Sequence, residues 1–116
     1  MEEIRFEDFI TEEMREKSNA LVLAQRNEML ARNNLLSTDY QAIKFAEGEL
    51  TAEEYAEVKA QRTQWRKEVN KYSAQAKALK LEYQQLYAEA KAEYEQALQD
   101  LFGGDINEEN DNTNEI

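Results

Sequence analysis

The chain has 116 residues, with no cysteine, histidine or proline and only three glycines, and carries 25 acidic against 14 basic side chains for a net charge of −11. Without cysteine or histidine it offers no disulfide, no thiol nucleophile, no imidazole base and no ordinary zinc ligand set, which removes most enzyme mechanisms. No apolar run exceeds the five residues from Ala20 to Ala24, against about twenty for a membrane span. The acidic start at Glu2 and Glu3 has the wrong sign for a secretory or transit leader, so a soluble protein made in the cytoplasm is expected.

In chain order, a first helix is expected from about Asp8 to Leu36, with apolar contacts from Phe9, Ile10, Met14, Leu21, Val22, Met29, Leu30 and Leu36. Thr38 or Asp39 can then cap a short connecting helix carrying Tyr40, Ile43 and Phe45, which Gly48 can end. Thr51-Ala52-Glu53-Glu54 reads as a capping box, the threonine accepting from first-turn amides while Glu54 reaches back. From Thr51 to Phe102 there is no glycine or proline in 52 residues, and helix-forming residue types dominate.

That second helix carries two interleaved seven-residue series. Tyr55, Arg62, Val69, Ala76, Tyr83 and Ala90 form one, and Val58, Trp65, Tyr72, Leu79 and Leu86 the other. Spacing of this kind, with Arg62 the single polar intruder, is the pattern of a coiled-coil seam; after Leu86 the stripe drifts to Tyr87, Tyr94 and Leu98. The fold class expected is all-α: a helical hairpin with a short connecting helix and a long heptad-patterned C-terminal helix, as a coiled coil or, if residues 74–102 fold back, a three-helix bundle. At 1.5 Å per residue the first helix runs about 45 Å and the second roughly 78 Å. The excess leaves Tyr83, Leu86, Tyr87, Tyr94 and Leu98 as an exposed stripe, and such stripes mark interfaces. With Trp65, Tyr72 and Leu79, these residues form the expected self-association surface of a homo-oligomer.

Residues 1–102 are expected to form a single helical domain. The tail from Gly103 to Ile116 has five acids and two apolar residues in fourteen, too few to offset the entropy of ordering, and reads as a disordered acidic tail. Asp105, Asn107 and Glu109 resemble part of a calcium loop, but the turn glycine is missing and Ile116 occupies the closing position.

Charge comes in blocks. Residues 1–17 are net −4, residues 47–57 hold five acids and no base, and residues 59–80 hold seven bases against one acid, Glu68. The adjacent acids Glu12-Glu13 and Glu53-Glu54 are helix-surface neighbours without the pocket and raised pKa that acid–base catalysis requires, so no enzyme, cofactor or metal is expected. The basic block around Trp65 could stack on nucleic acid, yet its tryptophan is in the heptad core and the net charge repels a polyanion. Neither a nucleic acid nor a membrane is an expected partner.

Residues 32–70 carry Arg32 with Leu35-Leu36, Thr38-Asp39-Tyr40, Leu50-Thr51-Ala52-Glu53-Glu54-Tyr55, and Arg62 with Trp65-Arg66 and Asn70. In order and spacing these resemble a module of small proteins and tail-fibre ends of tailed bacteriophages, including the tail assembly chaperone type. The resemblance covers 39 of 116 residues; in that family the module lies near the chain's end, whereas here a long helix and an acidic tail follow it. In physical terms Thr38-Asp39 and Thr51-Glu54 are caps, Leu35, Leu36, Tyr40, Leu50, Tyr55 and Trp65 can close a hairpin core, and Arg62 or Arg66 can pair with Asp39.

The resemblance implies a non-enzymatic phage protein of virion morphogenesis, in tail or tail-fibre assembly as chaperone or structural component. Its partner would be a tail or fibre protein, met in the host bacterial cytoplasm or in the virion. An alternative from the charge alone is an acidic helical inhibitor of a host DNA-binding or defence protein. Deleting residues 105–116 is expected to leave the melting temperature within a degree or two, as about 0.5 kcal/mol or less is typical away from packed features; a thermal melt checks it, and a large drop would show a packed tail.

Overall fold

The structure, a computed structural model, describes residues 3–115, with side chains described for residues 3–102. It is all-helical, with no strand among the described residues: a 3₁₀ turn Phe6–Phe9, then helix α1 Glu12–Ala46 and helix α2 Ala52–Glu115. The acidic tail of residues 103–116 lies outside the residues whose side chains are described. Where the sequence reads as a single domain over 1–102, the chain divides into two compact units: Met1–Lys17 with Leu81–Ile116 (unit 1), and Ser18–Lys80 (unit 2).

Each helix end has a local chemical cause. α1 starts at Glu12 rather than Asp8 because Thr11 caps it, its Oγ1 accepting from the Met14 amide at 3.1 Å, with Glu12 and Glu13 on the positive end of the helix dipole. At the other end Glu49 N–H donates to Lys44 C=O at 2.8 Å and Gly48 N–H to Phe45 C=O at 3.0 Å. This is a Schellman closure, and it needs a left-handed residue after the helix; Gly48 supplies it with φ +81°. α2 opens on the expected capping box, with Glu54 N–H donating to Thr51 Oγ1 at 3.1 Å and Thr51 N–H to Glu54 Oε1 at 3.0 Å.

The short connecting helix is absent as a separate element, since Thr38 to Ala46 continue α1. The hydroxyls turn backwards instead of capping forwards: Ser37 Oγ donates to Asn34 C=O at 2.8 Å, and Thr38 Oγ1 contacts the carbonyls of Asn34 and Leu35 at 3.0 and 3.1 Å. Such back-bonding lets serine and threonine remain inside a helix. α2 likewise passes through Asn70 to Ser73 without a break, so the third-helix alternative is not adopted.

Unit 2 is a two-helix hairpin, and the heptad reading of α2 describes its buried side. Tyr55 and Val69 are buried, and Val58, Arg62, Trp65, Tyr72, Ala76 and Leu79 are intermediate, while the positions between them are exposed apart from Glu68. α1 meets this row of large side chains with small ones, Ala24 and Ala31 being buried. Large-on-small packing lets the helices approach and fill the space between them. Val22, Met29, Leu30 and Leu36, expected as contacts, are exposed. The reason is angular: the inward row runs Leu21, Ala24, Glu28, Ala31, Leu35, and a residue one position further along is turned by about 100°.

In unit 1, Met14 and Ala90 are buried. Phe6 and Phe9, on the 3₁₀ turn, lie on the tyrosines of α2: Phe6 is 5.3 Å from Tyr87 and 5.5 Å from Tyr94 between ring centroids, and Phe9 is 5.9 Å from Tyr94. Edge and tilted geometries of this kind are the favoured ones. Lys17 Nζ meets Glu82 Oε2 at 2.7 Å; that hydrogen bond, then the carboxylate's charge, raises the lysine above its ordinary range.

Thr51→Ala is expected to cost about 1 kcal/mol in urea unfolding by loss of the cap. The Thr51 amide, then the Thr51 hydroxyl, hold Glu54 below the usual carboxylate range. A lowered folded-state value means that this contribution is complete above the ordinary glutamate range and is lost as pH falls through the lowered value. The difference between Thr51→Ala and the parent chain should therefore shrink in acid, which unfolding measured over a pH series will show.

Candidate protein-interaction site

Two features of unit 2 converge near the turn. The first is a polar cluster across the hairpin. Arg62 stands at a heptad core position of α2 with its side chain 13% exposed. Its Nη1 donates to Leu35 C=O at 2.7 Å and Thr38 Oγ1 at 2.8 Å, and lies 3.0 Å from Asp39 Oδ1. A guanidinium suits the place because its long stem packs in the seam while the charged head reaches acceptors at the edge. Asp39 is about half exposed, so the pair is partly screened and acts more as a register mark than as a large source of stability.

The second feature is an open groove at the hairpin tip. Phe45 stacks on Tyr55, centroids 4.6 Å apart and planes 9° from parallel. Beside them runs a groove of about 490 Å³, lined further by Ala52, Ala56 and Ala60 and by Lys59, Thr63, Gln64 and Lys67. Three alanines at four-residue steps keep one face of α2 shallow, and the two lysines give its lining positive charge. In unit 1 two shallow depressions are lined by acids and Leu86: one by Glu13, Lys17, Glu82 and Glu89, the other by Phe9, Met14 and Glu93.

Of the module residues, Leu35, Thr38, Asp39 and Arg62 come together, and Thr51, Glu54 and Tyr55 build the turn side of the same tip. Leu36 and Tyr40 face solvent, and Arg66 contacts its own helix at Thr63 Oγ1, 3.4 Å, leaving Asp39 to Arg62. Of the expected self-association residues, Trp65, Tyr72 and Leu79 are half-buried within unit 2. Tyr83, Leu86, Tyr94 and Leu98 are half-buried and Tyr87 is exposed in unit 1. The tyrosine stripe is therefore not bare as expected, because Phe6 and Phe9 of the 3₁₀ turn lie across Tyr87 and Tyr94. Two phenylalanines three apart before a helix cap were the available signal.

Among the described residues no three acidic side chains group to hold a metal ion, and no helix is long and apolar enough to cross a membrane. The partial calcium-loop pattern at Asp105, Asn107 and Glu109 lies outside the described side chains. Comparison with protein-family models, curated proteins and solved structures finds no match to this chain.

Arg62→Ala removes a charged donor from three acceptors and is expected to cost about 2 kcal/mol, in the range for hydrogen bonds to charged groups. Urea unfolding followed by circular dichroism checks it. A change under 0.5 kcal/mol would mean that the seam alone sets the hairpin.

Proposed function

We propose that the protein is a non-catalytic, all-helical component of tailed-phage virion morphogenesis that engages a tail or tail-fibre protein through the tip of the unit 2 hairpin. The observation that carries this reading is the groove beside the Phe45–Tyr55 stack, lined by three alanines and two lysines. Of the residues that resemble the phage module, Tyr55 lines this groove and Thr51 with Glu54 caps the helix that carries it, which supports the tip as the contact. A groove of this kind takes a short apolar segment whose flanks are acidic, the lysines steering its approach. The encounter takes place in the host bacterial cytoplasm during assembly, and the protein acts there as chaperone or structural part. Neither a cofactor nor a nucleic acid enters the reading.

Lys59→Glu with Lys67→Glu reverses the charge of that lining and leaves the seam untouched. Binding of the intact chain to co-expressed tail and tail-fibre proteins is expected to weaken at least tenfold, about 1.4 kcal/mol, and to show steeper salt dependence in the parent. Unchanged binding in the double variant would overturn the tip as the contact. Binding that instead fails on neutralising the acids of residues 47–57, in competition with DNA for a target, would favour the inhibitor.

A further inference from the structure

In unit 1 the aromatic face of α2 is covered by a segment that sits there against its own charge. Phe6 lies on Tyr87 and Tyr94 and Phe9 on Tyr94, at 5.3, 5.5 and 5.9 Å between ring centroids, so Tyr94 is the ring that both phenylalanines share. The polar contacts of the segment are all local. The 3₁₀ turn Phe6–Phe9 spans four residues and has no side-chain cap; Asp8 N–H donates to Arg5 C=O at 3.1 Å and Ile10 N–H to Glu7 C=O at 3.2 Å. Arg5 turns to Glu3 at 3.1 Å, and among the described residues no side-chain hydrogen bond or ion pair joins residues 3–10 to α2. A turn of that length has no stability of its own. The hold on α2 is therefore apolar, with the three ring pairs at its centre.

Charge works the other way. With Arg5 taken by Glu3, the segment is left with Glu7 and Asp8, both exposed. Residues 82–100 of α2 carry Glu82, Glu89, Glu93, Glu95 and Asp100 against Lys91, and Phe9 lines a hollow with Glu13, Glu89 and Glu93. The two bases at the start of α1 already face acids, Lys17 meeting Glu82 and Arg15 meeting Glu12. Exposed like charges repel over a distance that salt sets, about 30 Å at 0.01 M and about 3 Å at 1 M ionic strength.

We propose that residues 3–10 are a displaceable cover over Tyr87 and Tyr94, held by ring contacts and opposed by like charge, so that ionic strength sets how much of the face is bare. Low salt lets the repulsion act and lifts the cover; high salt screens it and closes the cover. The bared face is aromatic and has carboxylates beside it. A segment with two rings and bases between them suits it better than the chain's own Phe6-Glu7-Asp8-Phe9. The cover involves neither the tip groove nor a phage partner, and it stands or falls separately from the proposed function.

The test uses the full chain. Ring-fluorinated phenylalanine puts a fluorine NMR signal on each of its four phenylalanines, and Phe6→Leu and Phe9→Leu assign the two that matter. Phe45, stacked on Tyr55 in unit 2, is the reference that salt leaves in place. As salt falls from about 1 M to about 0.01 M, the signals of Phe6 and Phe9 should shift toward the position of the free amino acid. In Glu7→Lys with Asp8→Lys, at two exposed positions, the sign should reverse, the same shift now coming with added salt. Tyr94→Ala should lose the ring-contact shift of both phenylalanines at every salt concentration while the helical circular dichroism is kept. Signals of Phe6 and Phe9 that salt moves no more than that of Phe45, a salt dependence of unchanged sign in the double variant, or Phe6 holding its shift in Tyr94→Ala would each overturn the inference.

Discussion

A single guanidinium sets the register of the unit 2 hairpin. Among the heptad positions of α2, otherwise tyrosine, tryptophan, valine, leucine and alanine, Arg62 is the one side chain with a charge to satisfy. It finds Leu35 C=O, Thr38 Oγ1 and Asp39 Oδ1 only when α1 and α2 stand in this alignment. Sliding one helix by a turn would preserve most apolar contacts, as heptad seams repeat, but would strand the charge in the seam, which is costly. The apolar surface supplies the attraction between the helices; the arginine removes the alternatives.

The two helices of that hairpin contribute unequally. α2 brings the bulk, and α1 receives it with Ala24 and Ala31. This division explains why α1 has apolar residues to spare: its larger side chains, from Val22 to Ile43, stand round the helix from the alanine row and remain outside. A two-helix layer has only one shared side, so any apolar surplus must be borne by solvent or by another molecule. In unit 1 the comparable surplus on α2 is met within the chain, where Phe6 and Phe9 lie across Tyr87 and Tyr94.

Much of this was legible in the residues. The capping box at Thr51 and Glu54, a helix stop at Gly48 and the heptad series of α2 all depend on short-range chemistry or strict spacing, and all are present; Asp39 was open to Arg62 or Arg66 and is taken by Arg62. Three things were not legible. Thr38 could cap forwards or bond backwards, and only its proximity to Arg62 favours the second. The inward side of α1 could not be told from its apolar content, because the fully buried members of its inward row, Ala24 and Ala31, are small and carry little hydrophobic signal. The covering of the tyrosines depended on a segment before the first cap, whose irregular path has no periodicity to read. For the candidate site, the sequence marked the tip residues, but the groove itself arises from alanines at four-residue steps, which look like nothing more than good helix formers.

The turn between α1 and α2 has a kinetic meaning as well. It closes over the five residues from Glu47 to Thr51, with a Schellman closure on one side and a capping box on the other, each made of bonds between near neighbours in the chain. Joining ends so close together costs little loop entropy, and the Phe45–Tyr55 stack can form as soon as the turn does. Pairing in unit 2 would then spread outward from Gly48 like a zip, reaching Arg62 and Leu35 a few layers later. A hairpin that grows from its bend closes only a short additional loop at each step, since the layer before already holds the two helices together.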